Sequence, residues 1–338
     1  MSEIQKIGYY QDSINFILDI QASDGSISWE ENKKFDPWDH IESAMALTVA
    51  GETEVAMKAF EWMQLNQEKE GGWFSEYKSG QPSKKRMETN FAAYICVGIW
   101  HFYLVTKDKG FLEEYYPVLE KAMEFVTSMQ TDSGDILWAL DEKGSKLDDS
   151  LITGCSSIYK SFECFYAIKK QLNKNIGNLE DKMEFLKTAI VNKPGRFDRG
   201  WKSKERYSMD WYYPILCGVI TGKEGLERYQ LREGEFIVEG MGCKCVVEEP
   251  WVTIAESSEL VMALARLGEM DRAKEIFSWL HQWKDPKDNL YWTGYVYPDR
   301  TFWPIEKPTW TAAAVLLAAD TLYKFTDGSE LFLRDWRN

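Results

Sequence analysis

One long stretch of this chain occurs twice. Asp36 to Trp73, "DPWDHIESAMALTVAGETEVAMKAFEWMQLNQEKEGGW", returns as Glu249 to Trp292, "EPWVTIAESSELVMALARLGEMDRAKEIFSWLHQWKDPKDNLYW". Each copy runs acid-Pro-Trp, a helix start with a glutamate, an apolar helix, a second helix and an aromatic turn. A polar loop then leads to another apolar helix, "ETNFAAYICVGIW" from Glu88 or "PTWTAAAVLLAADTL" from Pro308. A helical hairpin cannot bury its apolar face alone, so a repeated hairpin stacks on copies of itself. If the stack closes into a ring, equivalent loops share one rim. Asp36 and Glu249 are then expected at one opening.

Apolar periodicity supplies the other hairpins. Ile41 to Ala50 pairs with Glu54 to Leu65, Asn90 to Thr106 with Phe111 to Gln130, and Ser156 to Leu172 with Leu179 to Asn192. "WYYPILCGVIT" (Trp211 to Thr221) opens a fourth pair whose partner is unclear, and Arg232 to Pro250 breaks the pattern with a short strand or extended loop. "SSELVMALARLG" and "DRAKEIFSWLHQW" form the fifth pair. "TAAAVLLAADTLYKF" begins the sixth, with Ile14 to Ile20 as its partner across the closure. The expected fold is an all-α (α/α)6 barrel, a toroid of six helical hairpins, spanning residues 1–338 as a single domain.

Tryptophan is dense, 15 residues, more than a helical core needs, and the surplus suits a pocket for sugar rings or hydrocarbon. The net charge of −14 argues against nucleic acid, anionic membrane or a polyanionic glycan as partners. The first segment lacks a basic start and a cleavage site, and no apolar run is long enough to cross a membrane. The six scattered Cys fit free thiols in a reducing compartment, so a cytoplasmic location is expected. Cys243 and Cys245 are too close for a zinc knuckle, and with only His40, His101 and His281 available no metal or cofactor is expected.

The turns "QASDGSISW" (Gln21 to Trp29), "QEKEGGW" (Gln67 to Trp73) and "QTDSGDILW" (Gln130 to Trp138) resemble the Gln…Gly…Trp repeat of squalene-cyclase and prenyltransferase toroids. The resemblance implies the toroid. It does not extend to that chemistry: Asp148-Asp149 lacks the first Asp of the cyclase acid motif, and three His cannot build the prenyltransferase zinc set. "ETNFAAYICVGIWHFYLVTKDKGFLEEYYPVLEKAMEFV" (Glu88 to Val126) and "NLYWTGYVYPDRTFWPIEKPTWTAAAVLLAADTL" are similar to parts of the six-hairpin glycosidases of the glucoamylase type. Those enzymes' base falls where this chain has Thr293-Gly294-Tyr295, and their acid where it has Trp138-Ala139-Leu140-Asp141. The resemblance therefore implies fold and substrate class, without the catalytic pair. The overall pattern also looks like a bacterial group containing a mycobacterial α-mannan-cleaving hydrolase.

Glycoside hydrolysis needs two carboxyls, and acids beside aromatics are the candidates because the ring both stacks on sugar and desolvates the acid. Asp36 and Asp39 flank Trp38, Asp210 precedes Trp211 and Tyr212, Glu249 precedes Trp251, and Glu256 follows one turn later. Each also has a structural reading. Asp39 with Glu42, and Thr253 with Glu256, fit capping boxes; Asp36 and Glu249 before Pro fit turns; Glu88 fits a helix start; Asp141 fits the turn "LDEKG". His40 binds a sugar hydroxyl or is a buried histidine. The expectation taken forward is Asp36 and Glu256 as the acid/base pair, with Asp210 in reserve. Trp38, Asp39, His40, Glu42, Glu88, Asn90, Trp138, Trp211, Tyr212, Glu249, Trp251, Trp292, Trp303 and Trp310 would bind substrate.

The function expected is a metal-independent glycoside hydrolase for a neutral α-linked oligosaccharide, an α-mannoside or α-glucoside. Inverting stereochemistry is expected by analogy with most six-hairpin glycosidases. The alternatives are an isoprenoid enzyme of the toroid type and a non-catalytic glycan-binding protein.

Overall fold

The computed structural model describes residues 3–337. Twelve α-helices follow in order: α1 Gln11–Ile20, α2 Pro37–Val49, α3 Thr53–Leu65, α4 Thr89–Thr106, α5 Lys109–Ser128, α6 Ile152–Gln171, α7 Leu179–Asn192, α8 Ser208–Leu216, α9 Gly222–Phe236, α10 Ile254–Leu267, α11 Met270–Leu280 and α12 Thr309–Tyr323. The even-numbered helices form a closed inner ring, each packed on the next and α12 returning to α2. The odd-numbered helices lie outside. Thus α9 is the missing partner of the fourth hairpin, and α1 packs on α12 across the closure. The sequence hid α9 because it buries few residues, among them Gly225, Tyr229 and Phe236. Arg232 to Phe236 is helical, and the break in the pattern begins only at Ile237.

The two rings differ in burial as their positions require. Every residue of α2 is buried, and α12 places Ala312, Ala313, Ala314, Ala318 and Ala319 where α2 and α10 press close. The outer helices bury one stripe, as in α11 with Ala273, Ile276, Phe277 and Leu280. The inner helices all begin at the same end of the barrel, and the loops entering them carry short strands. Lys34–Phe35, Glu76–Lys78 and Gln81–Lys84 make one sheet, and Met87–Glu88 pairs with Ala139–Leu140. A five-stranded sheet runs Thr301–Phe302, Gly294–Val296, Trp251–Thr253, Gly242–Lys244, Ile237–Val238. The other end is covered by the C-terminal segment. There the buried Lys160–Glu163 pair (2.7 Å) holds the Arg334 carbonyl and the Trp336 N–H, and Arg266 donates to the Phe332 carbonyl.

The three Gln…Gly…Trp turns are clasps between outer helices. Gln21 Nε2 donates to Gly25 O in its own turn and to Val55 O on α3. Gln67 does the same to Gly71 O and Val118 O on α5, and Gln130 to Gly134 O and Lys182 O on α7, all at 2.9–3.1 Å. Each glycine has φ between +92° and +105° and presses on the next outer helix; a Cβ on Gly71 would stand 2.3 Å from Lys121 O. Only glycine fits there. Lys284 takes the glutamine's place in the turn after α11, and its ammonium reaches Tyr9 O at 3.3 Å, linking the end of the ring to its start.

Gly71→Ala is expected to destabilise the protein by about 2–3 kcal/mol, through the collision with α5 and the positive φ together. Gly51→Ala shares the positive φ (+83°) but meets nothing within 4 Å, so about 1 kcal/mol is expected. Urea unfolding of the two variants checks this; equal losses would mean that the clasp contributes nothing beyond backbone strain.

Candidate active site

The N-termini of the inner helices converge on an open mouth. One pocket there, about 200 Å³, is lined by Trp29, Asp36, Trp38, Asp39, Asn90 and Trp310, with Phe91, Thr153 and Met209. A second, about 230 Å³, shares Thr153 and Met209 with it and adds Lys204, Tyr207 and Asp210. A third, about 580 Å³, lies between Arg206, Glu249, Trp251 and Trp303. Asp36 and Glu249 therefore lie on one rim but line different pockets.

Asp36, not Asp39, caps α2: its Oδ1 accepts the Asp39 N–H at 3.0 Å, and Pro37 fills the first helical position. This corrects the capping box expected at Asp39 and Glu42, because the helix starts three residues earlier. Asp39 then stands beside Asp36 and takes the Trp29 indole N–H on its other oxygen. Burial raises both carboxyls, and the Asp36 charge beside it pushes Asp39 well above the usual range. Such a pair holds a proton between its members.

Glu42 lies one turn deeper, inside the barrel rather than in the mouth. Burial pushes it up to about 7 against the hydrogen bond from Tyr94 Oη (2.8 Å), and Tyr94 stacks on Trp38 at 3.8 Å. Glu259 is raised further by burial and by Glu42, with Tyr212 and Tyr213 donating to it. The barrel interior thus holds carboxyls that exclusion of water biases toward the neutral form.

Asp210 enters the second pocket from α8. Pro214, four residues on, has no N–H, so the Asp210 carbonyl is freed from the helix ladder. Arg228 of α9 fills the gap, donating to the carbonyls of Asp210 and Trp211 at 2.9 Å. The residue is 2 % exposed, and its buried Oδ1 has no protein partner. Burial pushes it up to about 7, with Asp198 adding and Arg228 opposing. The helix N-terminus favours the ionised form by only about 0.3–1 kcal/mol, whereas each pKa unit is worth about 1.4 kcal/mol; burial wins.

Glu256 is the third residue of α10 and 6 % exposed, with its carboxyl raised by burial; the Thr253 hydroxyl at the N-cap has no partner, so the capping box expected there does not form. It sits on the same rim but lines none of the three pockets. Glu88 is half-buried at the start of α4 and paired with Arg86 (2.5 Å). Trp138 turns its edge to Trp201.

Several expected ligands lie elsewhere. His40 is fully buried, its ring taking the Ile27 N–H and bonding Ala59 O, with its pKa lowered by burial to about 4. Trp211 is stacked between Tyr229 and Phe236, and Tyr212 is buried on Glu259. The phase of α8 explains both: a helix starting at Ser208 turns Met209 and Asp210 to the mouth and the next two rings into the core. Trp292 stacks on Phe302 beneath Lys307 and lines none of the three pockets. Asp149 binds the N–H groups of Ser150, Arg199 and Gly200, and Asp141 those of Lys143 and Ser145, so both organise loops. Sequence reasoning missed Phe91, Thr153, Met209, Lys204, Tyr207 and Arg228; of these only Arg228 had a signal, the carbonyl that Pro214 leaves without its helical donor.

The chain is similar to the MMP endo-(1,4)-3-O-methyl-alpha-D-mannosidase of Mycolicibacterium hassiacum, 42% identical over 316 residues, covering 94% of this chain and 86% of that protein. Among solved structures it resembles a D-mannose isomerase (TM-score 0.72, 10% identity, 96% of this chain and 99% of that one). It also resembles a glycosidase in complex with glucose (TM-score 0.73, 10% identity, 94% and 97%). No protein-family profile matches.

A carboxyl whose pKa rises on folding contributes stability that is full below its unfolded value near 3.8 and lost as pH climbs through about 7. Asp210→Asn cannot ionise, so it should gain on the wild type with rising pH, by about 2–3 kcal/mol between about pH 5 and about pH 8. Urea midpoints at the two pH values test this; a pH-independent difference would remove Asp210 as a protonated acid.

Proposed function

The chain belongs to the glycoside hydrolase family of the Mycolicibacterium hassiacum endo-mannosidase, and from that premise we propose that it cleaves an α-mannosidic bond in a neutral oligosaccharide. An α-glucoside is the alternative substrate class. Family membership sets aside the isoprenoid enzyme and the non-catalytic binding protein.

The observation that carries the mechanism is the pair of pockets meeting at Thr153 and Met209, with the adjacent carboxyls of Asp36 and Asp39 in one and the buried Asp210, pushed up to about 7 by burial, in the other. Asp210 then donates its proton to the leaving glycosidic oxygen. Asp36, whose proton Asp39 retains, takes one from the attacking water. Trp38 and Trp310 flank the sugar, and Asn90 bonds a hydroxyl. Water attack opposite the leaving group inverts the anomeric centre. Glu256 is the second candidate donor, favoured by its raised carboxyl on the same rim. No metal is required by this scheme. The six free thiols support a reducing, cytoplasmic setting.

Hydrolysis of α-linked mannooligosaccharides, followed by NMR of the first-formed anomer and repeated with EDTA, tests the reading. Turnover surviving EDTA with β-anomer product is expected; α-anomer product would require a retaining mechanism. Asp210→Asn is expected to lower kcat by about 10²–10⁴-fold with substrate binding kept. If Asp210→Asn stays active while Glu256→Gln is inactive, the donor is Glu256. Asp36→Asn should be inactive in either case.

A further inference from the structure

Along one side of the mouth, cations and aromatic rings alternate. The Arg86 guanidinium lies 4.6 Å from the Trp138 ring, and Trp138 meets Trp201 edge-on at 4.9 Å. Lys204 Nζ stands 5.4 Å from Trp201 and 5.3 Å from Tyr207, and Arg206 lies 5.4 Å from Tyr207. The series crosses the entries to α4, α6 and α8. Lys204 and Tyr207 line the Asp210 pocket, and Arg206 lines the Trp251–Trp303 pocket, so the series joins the two.

Charge decides what such a wall can hold. Arg86 is paired with Glu88, Arg206 with Glu248 (3.2 Å) and neighbouring Arg199 with Asp148 (2.8 Å). Among the described residues the Lys204 ammonium forms no ion pair, although the Asp198 carboxylate accepts the Lys204 backbone N–H at 2.6 Å. A polyanion would find these guanidiniums already neutralised, whereas a neutral polyol finds donors, acceptors and apolar ring faces together. Trp201 is 37 % exposed, a large ring left in solvent at the mouth.

We propose that this wall is a run of sugar subsites, holding the units of a neutral oligosaccharide that lie beyond the scissile bond. Trp201 supplies a stacking face and Lys204 donates to hydroxyls, and together they set a preference for long chains over short ones. The position of the scissile bond rests on the hydrolase reading above; the wall itself can be tested by binding alone.

The full-length protein is titrated calorimetrically with a long α-1,4-linked mannooligosaccharide and with methyl α-mannoside, as wild type, Trp201→Ala and Lys204→Met. Trp201→Ala should weaken the long chain by about tenfold and leave the short glycoside unchanged, with Trp201→Phe restoring most of the loss. Turnover should show the same split, KM rising for the long chain while kcat holds. Added salt should change the wild-type affinity little, since no net charge is recognised. Equal weakening for both lengths, no weakening, or steep salt dependence would overturn the wall. If the wild type cleaves no mannoside yet binds a long α-glucan through Trp201, the substrate reading fails and the wall stands. If it cleaves mannosides without preferring long chains, the wall fails and the substrate reading stands.

Discussion

The clasp of a glutamine amide across two carbonyls holds this ring in register. Each clasp fixes the turn after one outer helix to the flank of the next, from α1 to α3, α3 to α5 and α5 to α7. Hydrophobic packing between helices is non-directional and tolerates sliding. Two hydrogen bonds from a planar amide, with a glycine pressed on the neighbouring backbone, are directional. They set the angular step between hairpins, and the step decides where each inner helix begins. The mouth depends on that, because its side chains are contributed by the first turns of different inner helices.

Exclusion of water then does the electrostatic work. Asp36, Asp39, Glu42, Asp210, Glu256 and Glu259 are all raised by burial, the largest effect on each. Helix N-termini, which favour anions, lose to desolvation throughout. One physical cause yields two roles by depth. At the mouth a raised carboxyl lines an open pocket, where it can exchange its proton. One turn below, burial raises Glu42 and Glu259 against the hydrogen bonds that tyrosines donate to them, forming a polar spine under Trp38. The free Glu42 oxygen and the unpartnered Ser157 hydroxyl mark where that spine is incompletely bonded.

The ring was legible because its signals are local and repeated: the Asp36–Trp73 and Glu249–Trp292 copies, the three Gln…Gly…Trp turns, and the apolar period of the inner helices. The closure of α1 on α12 followed from counting hairpins. What failed was phase. Trp211 and Tyr212 stand next to Asp210 in sequence, yet successive helical residues point about 100° apart, and only contacts with Tyr229, Phe236 and Glu259 fix which of them turns inward. His40 was misassigned for the same reason. The wall escaped notice because its rungs come from three separate loops, at residues 86, 138 and 201–207, with no spacing in common.

The pairing of α1 with α12 also bears on how the chain is made. α1 packs on α2 as well as on α12, so its apolar stripe, Ile14 and Ile17 among it, is fully covered only once α12 is in place. Intermediate hairpins can stack as they emerge, giving an open arc with two unpaired flanks. The amphipathic α1 must wait at one flank through the synthesis of about 300 residues. Closing the arc is a contact between α1 and α12, elements far apart in sequence, and such contacts are costly in loop entropy. A chain lacking α12 is therefore an open arc rather than a closed barrel, because α12 bridges α10, α2 and α1.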